Sequence, residues 1–178
     1  MKIKRTVELK TKTFEVGDVF SVKLKDGQNI DFMAMQQQDK NMLFMAVQCL
    51  NQRYTMKDIK EKDILNTEIL DLFPKKLKKK LIPFENGSLL RLPREKEVFG
   101  ENKIGADEGD IIQFEPMKYR YNRIGFSNEE NYVWWWLDTP NSATPPSFFA
   151  VVGSGGSLGS HNASCAIGVR PLLQIENR

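Results

Sequence analysis

The run Tyr132-Val133-Trp134-Trp135-Trp136-Leu137 constrains the fold more than any other stretch of the chain. Six large apolar residues in succession read as a strand, and successive side chains of a strand point to opposite faces. Both faces of this one must therefore be covered. Three adjacent tryptophans also suggest a stacking platform for sugars, but burial against core on either side is the favoured reading.

Length and composition narrow the rest. At 178 residues the chain suits one domain, 1–178, and 26 Lys+Arg against 23 Asp+Glu leave a net charge of only +3. The hydrophobic and charged fractions are those of a folded protein. No apolar run reaches the ~20 residues of a membrane-spanning helix, and the start MKIKRTVELKTKTFEVGD lacks the apolar stretch of a secretory signal. A cytoplasmic or phage-particle-associated address follows as the expectation. Cys49 and Cys165 are too few and too far apart for a thiolate zinc site or a disulfide framework. His161 is the only histidine, so any histidine-based catalysis must pass through it. No residue of defined spacing accompanies it, and an exposed loop histidine is the favoured reading.

Three zones follow one another, the last two joined by a connection. Residues 14–56 hold the apolar runs FEVGDVFSVKL, QNIDFMAM and NMLFMAVQCL, separated by Lys25-Asp26-Gly27 and Gln38-Asp39-Lys40, which predict three antiparallel strands. Their methionines, Met33, Met35, Met42 and Met45, alternate with Phe32, Phe44 and Val47 and read as gap-filling core. Residues 57–103 are helical: Ile64, Leu65, Ile69, Leu72 and Phe73 recur at helical spacing, and Pro74 can open a second helix. The run Lys75, Lys76, Lys78, Lys79, Lys80 reads as a solvated face rather than a phosphate-binding one. LLRLPREKEVF reads as a short strand and then a helix opened by Pro93.

Residues 104–131 are an irregular connection. Its acidic part lacks the ligand pattern of a calcium loop, and the basic-aromatic MKYRYNRIGF reads as an ordinary strand rather than a base-stacking one. Residues 132–178 supply C-terminal strands and ligand-binding loops, with the Gly/Ser-rich GSGGSLGSHNAS as a long loop between SFFAVV and GVRPLLQI.

The span 138–167 contains no Lys, Glu, Gln, Met or Trp, although the chain has 18, 13, 8, 7 and 3 of them. Every residue type present there can be written with a codon ending in a pyrimidine, and the five missing types cannot. Turn-rich segments favour Gly, Ser, Asn and Pro for reasons of backbone geometry, which explains part of the bias. Exposed loops nevertheless usually carry some Lys, Glu or Gln.

Trp135-Trp136-Leu137-Asp138-Thr139-Pro140, then a Gly/Ser-rich stretch, then Gly168-Val169-Arg170-Pro171-Leu172, resembles the pattern WWLRSP…G…GVRPAL of a bacterial and phage family, the DUF6273 domain of unknown function. Val16-Gly17-Asp18, Ile64-Leu65-Asn66 and Leu90–Val98 extend the resemblance over about 14–175. It implies an α+β, C-type-lectin-like fold with mixed, mostly antiparallel sheets, two or three helices and long C-terminal loops. It also implies kinship with formylglycine-generating-enzyme-like domains and with the variable proteins of diversity-generating retroelements. In the latter, adenine-directed mutagenesis of AAC or AAT codons varies loop residues, and Lys, Glu, Gln, Met and Trp are the types it cannot produce. Asp138-Thr139 stands where the family usually has Arg-Ser: if that Arg is a structural salt-bridge partner its role must be filled otherwise, and if the position is variable the change is expected.

The expectation is a non-catalytic protein without cofactor or metal, whose partner is a protein ligand or receptor and not nucleic acid. Asp138, Thr139, Asn141, Ser142, Thr144, Ser147, Phe148, Phe149, Ser154, Ser160, His161, Asn162 and Ser164 form the contact surface, with short polar side chains for adaptable hydrogen bonds and Phe for apolar anchoring. Of the adjacent Phe148 and Phe149, one faces the core and the other faces outward. Trp134, Trp135, Trp136 and Arg170 are structural; Arg170 has two readings, bidentate contact with an anionic ligand or a fixed ion pair or carbonyl clamp at the end of the closing strand, and the second is favoured. The alternatives are an enzyme of the formylglycine-generating type, which needs a close cysteine pair and a metal, and a structural phage or cell-surface component.

Overall fold

The structure, a computed structural model, describes residues 13–144 and 147–178. The reading of the first twelve residues as lacking a secretory signal lies outside them. The two predicted turns join β1 (Val19–Lys23), β2 (Asn29–Gln38) and β3 (Asn41–Ala46) into an antiparallel meander. The closing strand β9 (Leu172–Glu176) pairs antiparallel with β3, giving the order β1-β2-β3-β9. Bridges from Leu81 and Arg91 to β9 cover an edge that would otherwise be open to pairing.

β5 (Trp135–Pro140), β6 (Phe148–Val152) and β7 (Leu158–Asn162) form a second antiparallel sheet in that order. A two-stranded pair, β4 (Tyr54–Thr55) with β8 (Ala166–Ile167), stands apart. Strand β7 corrects the expectation of one long Gly/Ser loop. Gly153 donates to Ser157 O at 2.8 Å and Gly156 to Gly153 O at 2.9 Å, closing a tight turn. Gly156 has φ +75°, and a Cβ there would sit 2.9 Å from Arg120 O, so the turn needs glycine for conformation and for room. Beyond it, Leu158 to Asn162 run in register with Val152 to Phe148. Backbone pairing, not side-chain propensity, makes this strand.

The helical zone breaks into short pieces: α1 (Met56–Glu61), α2 (Leu70–Leu72), α3 (Lys75–Lys78) and α4 (Glu95–Phe99). With α5 (Arg120–Arg123), five short α-helices among the described residues replace the two or three expected. Leu65–Ile69 is a π-helical turn, and Ile69 N donates to Ile64 O at 3.0 Å. The wider turn brings Ile64 and Ile69, five apart, to one buried face. The lysines of α3 are exposed or half-buried while Leu77 is buried, a solvated face. MKYRYNRIGF is not a strand: a 3-10 turn (Glu115–Lys118) leads into α5, and Arg120 and Arg123 hold carbonyls of the β6–β7 turn. Among the described residues no helix is long and apolar enough to cross a membrane.

The demand for cover on both faces of the tryptophan strand is met by two cores. Trp136 packs with Phe32, Phe44, Phe73, Phe149 and Val151. Trp135 packs with Met35, Met45, Val98, Met117, Ala150 and Val152. Met35, Met42 and Met45 are buried, as the core reading of the methionines has it, and Met33 is half-buried. Trp134 departs from the expectation of three buried anchors, being 42% exposed. It shares a face with Trp136 but lies before the paired part of β5, with His161 edge-on to its ring and Gly153 close beside it.

Candidate binding surface

The span without Lys, Glu, Gln, Met or Trp does not form one surface. β6 is its buried spine, with Phe149, Ala150, Val151 and Val152 all interior. Phe148 is half-buried, so the adjacent phenylalanines divide between core and outside as a strand requires.

Two turns meet at one end of the β5–β7 sheet. Asn141 Oδ1 accepts Ala143 N at 2.9 Å, and Thr144 N donates to Asn141 O, an Asx-type turn. Asn162 Oδ1 accepts Ser164 N at 2.9 Å in the same manner. The turns are tied together by Ala163 N donating to Ser147 O at 2.8 Å and Asn141 Nδ2 to Ser160 Oγ at 3.0 Å. Ser142, Thr144, Ser147 and Ser164 are exposed there, while Asn141, Phe148, Ser160 and Asn162 are half-buried. Main-chain bonds and the amide groups of Asn141 and Asn162 fix the turns, and two of the exposed side chains add one bond each, Ser142 Oγ to Ile104 O and Ser164 Oγ to Asn162 Oδ1.

The other expected contacts lie elsewhere. Ser154 sits in the β6–β7 turn at the opposite end of the sheet. His161 stands edge-on between Trp134 and Trp136, with its Nδ1 buried and unpartnered. Phe149 belongs to the core.

Thr139 is buried as well, taken out of the surface by a register shift of β5 between Trp136 and Pro140. Its hydroxyl donates to Glu108 Oε1 at 2.5 Å and accepts Glu95 N at 2.9 Å. Glu95, fully buried, accepts Lys103 N and Ile104 N on Oε1 and Gly105 N on Oε2, at 2.6–2.8 Å. A Cβ on Gly105 would fall 2.1 Å from Thr139 Cγ2, so this loop closes on the strand only through glycine. The carboxylate cradle escaped sequence reasoning, because a Glu in a charged run looks like surface.

Asp138 points into a cleft of about 560 Å³, where it pairs with Lys60. Asn66 builds the wall, its Oδ1 accepting Leu89 N and Leu90 N at 2.9 Å. Asp63, Ser88 and Arg91 complete a polar lining that no motif announced.

Arg170 is a carbonyl clamp. It is 2% exposed, Nε donates to Ala46 O at 2.8 Å and Nη1 to Asn122 O at 3.0 Å, and the guanidinium lies 4.6 Å over the Trp135 ring. The two cysteines are both free and differ in setting, Cys49 buried and Cys165 half-buried. Burial pushes the Cys49 thiol from 9.0 up to about 11, and the nearby Arg170 draws it back only in part. A folded value above the unfolded one means stability that is full below pH 9 and lost as pH rises towards 11. Between those values the parent protein is expected to lose on the order of 2–3 kcal/mol more than Cys49→Ala. Urea midpoints across the range measure it, and identical alkaline losses would contradict the assignment.

Residues 92–177 match the model of a family described as a domain of unknown function, DUF6273. The match takes in the Glu95 cradle and β5 to β9, whereas Val16-Gly17-Asp18 and Ile64-Leu65-Asn66 lie outside it. No curated protein and no solved structure matches the chain.

Proposed function

We propose that this DUF6273-domain protein is a non-catalytic binder that presents the turns around Asn141 and Asn162 to a protein ligand or receptor. In the sharpest form of the proposal, it is a variable protein of a diversity-generating retroelement on a C-type-lectin-like scaffold. One observation carries the reading: the exposed Ser142, Thr144, Ser147 and Ser164 stand on turns held by main-chain bonds, above a spine buried between two cores. Replacing Ser142 or Ser164 gives up a single side-chain bond each, to Ile104 O and Asn162 Oδ1, and leaves the main-chain ties in place. The return of β9 into the first sheet is compatible with the scaffold, and the pyrimidine-compatible residue set is compatible with the diversification.

Substitutions at Ser142, Thr144, Ser147 and Ser164 are expected to shift stability by less than about 0.5 kcal/mol each. Thr139→Val and Phe149→Ala should cost about 2 kcal/mol or more. A proteolysis-based stability scan of residues 138–167 measures both groups, and uniform sensitivity across them would defeat the proposal. The retroelement form has a separate test. Loop codons that are not near-copies of AAC or AAT, with no template repeat and reverse-transcriptase gene nearby, would remove it.

A further inference from the structure

Away from the turns, a pocket of about 140 Å³ opens between β2, the 3-10 turn and α5. Met33, Met35 and Met117 line it, Tyr121 and Phe126 stand exposed at its mouth, and Arg170 forms part of its wall. We propose that this pocket binds a small organic anion, a carboxylate head on a short apolar chain, with Arg170 receiving the head.

A buried guanidinium is normally matched by a carboxylate, because an uncompensated charge away from water is costly. Arg170 has no such partner among the described residues; its hydrogen bonds there are those to Ala46 O and Asn122 O, both neutral acceptors. Nη2 donates to none of the described residues, which leaves part of the planar fork for an incoming carboxylate. The neighbourhood adds to the positive field. Arg120 and Arg123, on α5, also bond to carbonyls and pair with no carboxylate among the described residues. The thioether wall suits a flexible alkyl chain, since methionines adapt to irregular apolar shapes. This proposal stands apart from the turn surface, so either can fail without the other.

The test is carbon-13 methionine-methyl NMR of the full chain titrated with hexanoate, hexanamide and inorganic phosphate. Hexanoate is expected to move the Met33, Met35 and Met117 methyls saturably and to leave Met42 and Met56, in the other core, in place. Hexanamide should bind at least about tenfold more weakly, lacking the charge-assisted bond, and phosphate, lacking a chain, should not move the three methyls. Arg170→Gln should abolish the response. Should that variant not fold, Met33→Trp fills the pocket without touching Arg170, and should weaken hexanoate at least about tenfold. Three unmoved methyls, equal binding of hexanamide, a phosphate response equal to that of hexanoate, or undiminished binding by Met33→Trp would each overturn the proposal.

Discussion

Glu95→Ala is expected to destabilise the protein by about 3–6 kcal/mol, from ~1–3 kcal/mol for each backbone donor left without a partner. The carboxylate lies wholly inside and collects three consecutive amides, Lys103 N, Ile104 N and Gly105 N, with Asn102 Nδ2 at 3.3 Å. Glu95→Gln retains one carbonyl oxygen but turns an amide group towards an N–H, so roughly half the loss should remain. The effect should extend to the turn around Asn141, since Ile104 O accepts both Ser142 N at 3.0 Å and Ser142 Oγ at 3.1 Å. Urea midpoints give the global cost, and amide exchange at 103–105 and 142–144 shows whether loop and turn loosen together. A loss under 1 kcal/mol, or exchange confined to one of the two segments, would refute the coupling.

The sequence made some of this legible and hid the rest for identifiable reasons. Asp-Gly and Asp-Lys turns between alternating apolar runs are local signals, and they located β1 to β3 directly. The tryptophan run likewise announced a strand with two covered faces. Strand β7 was hidden because LGSHN has no strand propensity of its own; its partner β6 and the turn at Gly156 impose the conformation. The π turn was hidden because Leu65 and Ile69, four apart, fit an ordinary helix, and no residue pattern marks the Ile69 N to Ile64 O bond that widens it. In the candidate surface, the exposed serines and threonines followed from residue type. Burial of Thr139 did not, because it depends on a register shift in β5 and on a glutamate 44 positions away. Long-range polar contacts leave no local trace, and the cleft beside Asp138, built from residues of three separate segments, shares that property.

The three adjacent tryptophans should separate sharply under alanine substitution. Trp135→Ala and Trp136→Ala are each expected to cost about 3–5 kcal/mol, whereas Trp134→Ala should cost under about 1 kcal/mol. Trp136 is sealed in one core with Nε1 donating to Tyr54 O at 2.8 Å, which ties β5 to the β4–β8 pair. Trp135 is sealed in the other, with Nε1 donating to Arg123 O at 2.9 Å and Arg170 stacked on its ring. Removing either indole opens a large cavity and strands a carbonyl, and at Trp135 it also withdraws the aromatic face beside a buried cation. Phenylalanine at either position keeps most of the volume and isolates the hydrogen bond, for which a loss of ~1–3 kcal/mol is expected. Trp134 is 42% exposed and its indole makes no hydrogen bond among the described residues, so its replacement removes far less buried contact. Denaturation midpoints of the single variants measure these costs, and the red-shifted part of the tryptophan emission should vanish only in Trp134→Ala. Equal losses at all three positions would mean that the strand is gripped along its whole length, and that the 42% exposure of Trp134 does not describe the folded protein.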